Sequence, residues 1–178
     1  VTTPAHHELY TEAITKALTS VPVSVSRDFV REILSAHQIV VAGRGRSGMM
    51  AAAFARRLGQ MGLAAWGLDD TTVPRLGKND VLVACTGSGT TPTVLSLMDT
   101  ARQGGARVLS VTRKSNPTAA AADVVAELDV EVPEEGLFPL GTLFEVSLLA
   151  FLDHIVVDLI AALGATESDL GARHTNLE

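Results

Sequence analysis

Apolar positions recur at helical spacing over His6 to Leu18 and again over Val25 to His37, with polar residues between them. That period predicts two amphipathic helices. The pattern then changes. Short unbroken apolar runs at 39–42, 81–84, 107–111 and 124–130 alternate with stretches of helical period at 47–60 and 92–103. A shorter strand is expected near Ala64–Leu68, ahead of a turn at Pro74, and a turn with a short helix around Pro117–Ala122. Runs that are apolar throughout suit strands buried on both faces. Their alternation with helices implies a parallel sheet covered on both sides. The expected fold is one α/β domain over residues 1–178, a three-layer α/β/α arrangement around a five-stranded parallel sheet. Residues 1–37 form a helical arm packed on the domain or on another subunit.

The last long segment, 142–163, is apolar nearly all round and ends at Gly164. Leu143, Phe144, Val146, Leu148, Leu149, Phe151, Leu152, Ile155, Val156, Leu159 and Ile160 leave no polar face. A helix of that kind is buried on most sides. In so small a domain this predicts a subunit interface as well as a core. Its few charges, Glu145, Asp153 and Asp158, therefore stand out.

Composition sharpens the picture. The apolar share of 47% supports a core, and the aromatic share of 4% makes that core aliphatic. A net charge of −6 argues against general nucleic-acid binding. The lone Cys85 excludes an internal disulfide, ends an expected buried strand, and reads as core rather than as a reactive thiol. No uninterrupted apolar run reaches the roughly 18 residues of a membrane span, and the N-terminus shows no signal-peptide pattern. A cytoplasmic protein with no membrane or nucleic-acid partner is expected.

Chemistry concentrates in two loops. Gly43-Arg44-Gly45-Arg46-Ser47-Gly48 follows the first apolar run, and Thr86-Gly87-Ser88-Gly89-Thr90-Thr91 follows the run at 81–84. Glycines let a backbone approach a ligand closely. A following helix turns free N–H groups and a positive dipole end toward that ligand. Hydroxyls add neutral donors. Two such loops at neighbouring strand ends make a pocket for an anion, a phosphate above all. The first loop also matches the dinucleotide fingerprint G-x-G-x-x-G, with Asp69-Asp70 at the spacing of a ribose contact. Arg44, Arg46 and Ser47 suit a terminal phosphate better, and the dinucleotide reading leaves the second loop without a role. Arg46 reads either as a sugar-phosphate ligand or as a surface salt bridge. His6-His7 and His154 lack the spacing of a metal site, and no metal is expected.

Thr86 to Thr91 resembles the S-x-S-G-E-T loop of sugar isomerase (SIS) domains, and Gly43 to Gly48 resembles their first loop. Gly45-Arg46-Ser47-Gly48, Pro139 to Glu145 (P-L-G-T-L-F-E) and the terminal R-H-T-N-L-E, Arg173 to Glu178, are similar to the 6-phospho-3-hexuloisomerase family. The resemblance runs over nearly the whole chain. It implies an SIS-type fold, a homotetramer, and interconversion of a hex-3-ulose 6-phosphate with fructose 6-phosphate in the ribulose monophosphate route of formaldehyde fixation. It implies that Gly45, Arg46, Ser47, Thr86, Ser88 and Thr91 bind the phosphosugar. It also implies Glu145 as the proton-moving base and His174 as a catalytic residue of the C-terminal tail, 164–178, lying over the active site. Thr90 stands where the family's loop has Glu, and Gln60 where many relatives have His.

Moving a carbonyl between C3 and C2 needs no redox cofactor, so none is expected. One carboxylate can remove the C2 proton and return a proton at C3 if both carbons lie on its face. General base catalysis of this kind is worth about 10²–10⁴-fold. Two alternatives share the sequence pattern: a phosphosugar-binding regulatory module without turnover, and an isomerase of another phosphosugar on the same fold.

Overall fold

A computed structural model of the chain describes residues 6–114, 121–133 and 135–177. Two helices come first, α1 (His6–Thr19) and α2 (Val23–Ser35). Strand β1 (Ile39–Gly43) leads into α3 (Gly45–Gln60) and β2 (Ala65–Gly67). Strand β3 (Val81–Thr86) leads into α4 (Pro92–Gln103), followed by β4 (Arg107–Arg113) and β5 (Val124–Leu128). Helices α5 (Thr142–Leu163) and α6 (Glu167–Ala172) close the order. The sheet is five-stranded and parallel in every pairing, with order β2-β1-β3-β4-β5. The expected turn and short helix around Pro117–Ala122 lie largely outside the described residues.

Alternation along the strands divides the core. Ile39 and Val41 of β1 and Val81, Val83 and Cys85 of β3 pack with α2, α3 and α5. Val40, Ala42, Leu82 and Ala84 point the other way and pack with α4. The N-terminal helices are less of an arm than their position before the sheet suggests. Phe29 and Ile33 of α2 are fully buried in the main core. Phe29 meets Phe151 of α5 edge to face at 5.6 Å, and Tyr10 of α1 stacks on Phe138 at 4.3 Å. Each apolar pair removes area from water worth roughly 25 cal/mol per Å², so both helices belong to the domain's own core.

Helix α5 has the length and apolarity of a membrane span, with mean hydropathy 2.1 over its most apolar window. Counting uninterrupted apolar runs missed this, because isolated Glu145, Asp153 and Asp158 break the run without changing its average. Phe151, Leu152, Ile155 and Leu159 are buried beneath α2 and α3, which accounts for that face. Asp153, His154 and Val157 lie exposed on another. Gly164 ends the helix in the left-handed region, φ 64°.

One topological feature positions the chemistry. From β1 the chain moves outward to β2, then crosses back over β1 to β3. Strand order reverses between β1 and β3, and a crevice opens outside their carboxyl ends. Ligands of open α/β sheets bind at such a point. Both glycine loops flank it.

Candidate active site

The second loop gathers its hydroxyls. Strand β3 runs two residues beyond the expected 81–84, through Cys85 to Thr86, and sets the Thr86 hydroxyl at the strand end. Thr86 Oγ1 lies 3.1 Å from Thr91 Oγ1, and Ser88 Oγ lies 3.2 Å from Thr91 Oγ1. The Gly89 amide donates to Thr86 Oγ1 and the Thr90 amide to Ser88 Oγ, each at 3.2 Å. Thr91 caps α4 from an extended conformation without a side-chain capping bond, and Pro92 opens the helix. The hydroxyls of Thr86, Ser88 and Thr91 therefore cluster at a helix N-terminus, where donors and the dipole favour an anion.

The first loop is set by close backbone approach. A Cβ on Gly43 would fall 2.9 Å from the Gly48 nitrogen, so the first turn of α3 can seat against β1 only over glycine. Gly45 takes a positive φ of 57°. This geometry brings Arg46 and Ser47 to the crevice. Arg44 turns away and pairs with Asp69 at 3.5 Å, and Asp70 accepts from the Gly67 amide at 2.8 Å. Both carboxylates of the apparent ribose signal thus hold the turn after β2.

Arg46 resolves in an unforeseen way. Its Nε lies 3.1 Å from Glu145 Oε2 on α5, and its Nη1 donates to Thr142 Oγ1 at 3.3 Å. Thr142 in turn donates to the Pro139 carbonyl at 2.7 Å. It is a salt bridge, but to the candidate base. The Glu145 side chain is 14% exposed and that of Arg46 56%. Glu145 Oε2 is shut off from solvent and, among the described residues, has no well-aligned hydrogen bond. The 3.1 Å contact is therefore an ion pair rather than a directed bond. Helix α5 is locked to the second loop as well: a Cβ on Gly87 would meet Phe144 Cδ1 at 2.8 Å. In sequence Thr142 and Phe144 stand only within the P-L-G-T-L-F-E motif and the apolar helix, without a role of their own.

The site residues fall into two groups. Gly45, Arg46, Ser47, Thr86, Ser88 and Thr91 stand just beyond the carboxyl ends of the neighbouring strands β1 and β3, and Arg46 ties the first loop to Glu145. His174 does not join them in the same protomer. It is exposed, with Nδ1 3.0 Å from the Thr175 carbonyl. It borders a cleft of about 410 Å³ with Arg57, Gln60, Asp153 and Leu170. Arg57 lies eleven residues beyond Arg46 on α3, about 16 Å along the axis at 1.5 Å per residue. Within one protomer the tail thus packs at the far end of α3 and α5, because both helices run antiparallel to the strands. Part of the expected tail is itself a helix, α6. Thr166 and Asp169 form a capping box, and the Thr166 hydroxyl and amide hold the Asp169 carboxyl below its ordinary range. Leu170 anchors it at 8% exposure, while Leu177 is 91% exposed and anchors nothing in this protomer. The final Glu178 lies outside the described residues.

Cys85 is fully buried, and burial pushes its thiol up to about 12. His154 pairs with Asp158 at 3.7 Å on the exposed side of α5. Among the described residues, no three His, Cys, Asp or Glu side chains converge as a metal site would require.

Comparison with known proteins places this geometry. The SIS domain model matches residues 32–156. An uncharacterized protein of Archaeoglobus fulgidus is 36% identical, over 96% of this chain and 97% of its own. The 3-hexulose-6-phosphate isomerase of Methylomonas aminofaciens is 31% identical, over 95% of this chain and 98% of its own. A solved structure from Methanococcus jannaschii, for which the function of 3-hexulose-6-phosphate isomerase was inferred, superposes with a TM-score of 0.87. It is 27% identical and covers 96% of this chain and 98% of that one. With the match spanning both loops, β1 through β5 and the first two-thirds of α5, the chain belongs to the SIS domain family.

Proposed function

We propose that this protein is a phosphosugar isomerase that interconverts D-arabino-hex-3-ulose 6-phosphate and fructose 6-phosphate. The observation that carries it is the Arg46–Glu145 pair, a largely buried carboxylate held at 3.1 Å on the helix that packs against the hydroxyl-bearing second loop. Relatives named 3-hexulose-6-phosphate isomerase, matched over most of the chain, support the choice of substrate.

The phosphate binds between the loops. Thr86, Ser88 and Thr91 exchange their mutual hydrogen bonds for bonds to its oxygens, and Ser47 and the Gly45 backbone close it from the β1 side. Arg46, more exposed than its partner, is attracted to the phosphate dianion and loosens its hold on Glu145. Glu145 then takes the proton from C2 of the 3-ketose, an enediolate spans C2 and C3, and the proton returns at C3. The hydroxyl at O2 gives its proton up while O3 gains one. His174, supplied by a neighbouring subunit, carries that proton between the oxygens. The assembly is a homotetramer that uses the exposed side of α5, where Val157 is 62% exposed. No step calls for a metal or redox cofactor.

Fructose 6-phosphate incubated with the protein in heavy water tests the reaction. Deuterium entering C3, followed by NMR, is the expected result. Binding without exchange would reject the isomerase and leave a phosphosugar sensor.

A further inference from the structure

Two side chains of β4 hold the second loop from behind. The buried Thr112 hydroxyl donates to the Thr86 carbonyl at 2.7 Å. Arg113 Nε donates to the Gly87 carbonyl at 2.6 Å. Thr86 and Thr112 are partners in the ladder of β3 and β4, so both bonds draw the loop toward β4.

The second bond departs from strand geometry. In a strand, successive carbonyls face opposite neighbours. The Asp80 carbonyl accepts from Arg107 on the β4 side, and the Val81 amide donates to Gln38 on the β1 side. Counting forward in twos, the Thr86 carbonyl faces β4 and the Gly87 carbonyl would face β1. Arg113 instead keeps the Gly87 carbonyl on the β4 side. No peptide bond among the described residues is cis, and in a planar trans peptide the N–H points opposite the C=O. The amides of Gly87 and Ser88 therefore both point away from β4, into the crevice between β1 and β3. Consecutive amides turned the same way form a small anion-binding concavity.

We infer that Thr112 and Arg113 are positioning residues that turn the Gly87 and Ser88 amides into the crevice as a cradle for the substrate phosphate. The inference rests on the phosphate reading above. Neither side chain touches the sugar. Their effect passes through two carbonyls, so they govern affinity for the phosphate and leave proton transfer at Glu145 alone.

The test uses the ¹⁵N-labelled full chain titrated with inorganic phosphate, alongside KM and kcat for fructose 6-phosphate. In the parent protein the Gly87 and Ser88 amide protons move downfield with phosphate. Thr112→Val and Arg113→Met should each blunt that movement and weaken phosphate binding roughly threefold to tenfold, the range of one hydrogen bond. KM should rise by a similar factor while kcat holds. Arg113 is on the surface, so its variant folds, which melting confirms. Unchanged shifts and affinity in both variants, with the parent binding normally, would overturn this inference alone. A loss confined to Arg113→Met would assign the effect to charge and would also overturn it, since Thr112→Val alters no charge. A parent protein that binds no phosphate would overturn the phosphate reading and this inference together.

Discussion

The two glycine loops read alike in sequence and do different work in the folded chain. The first is a backbone device. Gly43 and Gly48 nearly touch, α3 starts hard against β1, and the charged Arg46 reaches across to α5. The second is a side-chain device. Thr86, Ser88 and Thr91 bond to one another, and Gly87 makes room for Phe144. One loop contributes charge and the other neutral donors. A strand–glycine–helix pattern therefore marks where neighbouring elements come close, and only the residues between the glycines decide what each loop presents.

The largest effect should come from the charged arm. Glu145→Gln keeps the side chain's shape and cannot accept a proton. Turnover should fall by about 10²–10⁴-fold, the worth of a general base, while fructose 6-phosphate still binds by calorimetry. A loss under about tenfold would make Glu145 structural. Mixing Glu145→Gln with His174→Ala protein and reassembling the proposed tetramer should recover part of the activity, since some sites then combine both native residues. No recovery would place His174 outside the site.

The neutral loop should respond differently. Ser88→Ala removes a donor to a charged phosphate, worth roughly 1.5–3 kcal/mol, and should raise KM with little change in kcat or melting. If Ser88→Ala lowers kcat as Glu145→Gln does, the division between the loops fails. Gly43→Ala probes the backbone device. Its Cβ would meet three backbone atoms rather than a movable side chain, so stability should drop by roughly 1–3 kcal/mol in thermal melts. An unchanged melt would show that the approach of α3 to β1 has slack. The smallest effect concerns the tail. Leu177→Ala should leave the melting of isolated protomers unchanged, whereas Leu170→Ala should lower it. The reverse would make Leu177 the anchor.

Much of this was legible in the residues. Unbroken runs such as Val81 to Ala84 announced buried strands, and glycines after two of them announced the crevice. The Arg46–Glu145 contact was not legible, because the partners stand on α3 and α5, far apart in sequence, and periodicity reports that a position is covered without saying by what. Helix α6 was within reach. Thr166-x-x-Asp169 is a capping signal, but one apolar residue, Leu170, is too little to suggest a helix from hydrophobic pattern. The separation of His174 from the crevice follows from the direction in which α3 and α5 run, which only the assembled sheet fixes. The holding of the second loop by Thr112 and Arg113 was hidden for the same reason, since strand neighbours are set by topology.

Cys85 carries a consequence for the company this protein can keep. The thiolate, not the thiol, is the reactive form of cysteine. With its thiol pushed up to about 12 by burial, Cys85 stays a neutral thiol at neutral pH. It sits one residue before the end of the strand that leads into the second loop. The protein's sole cysteine is thereby kept in its unreactive form, and no reactive sulfur lies beneath the second loop.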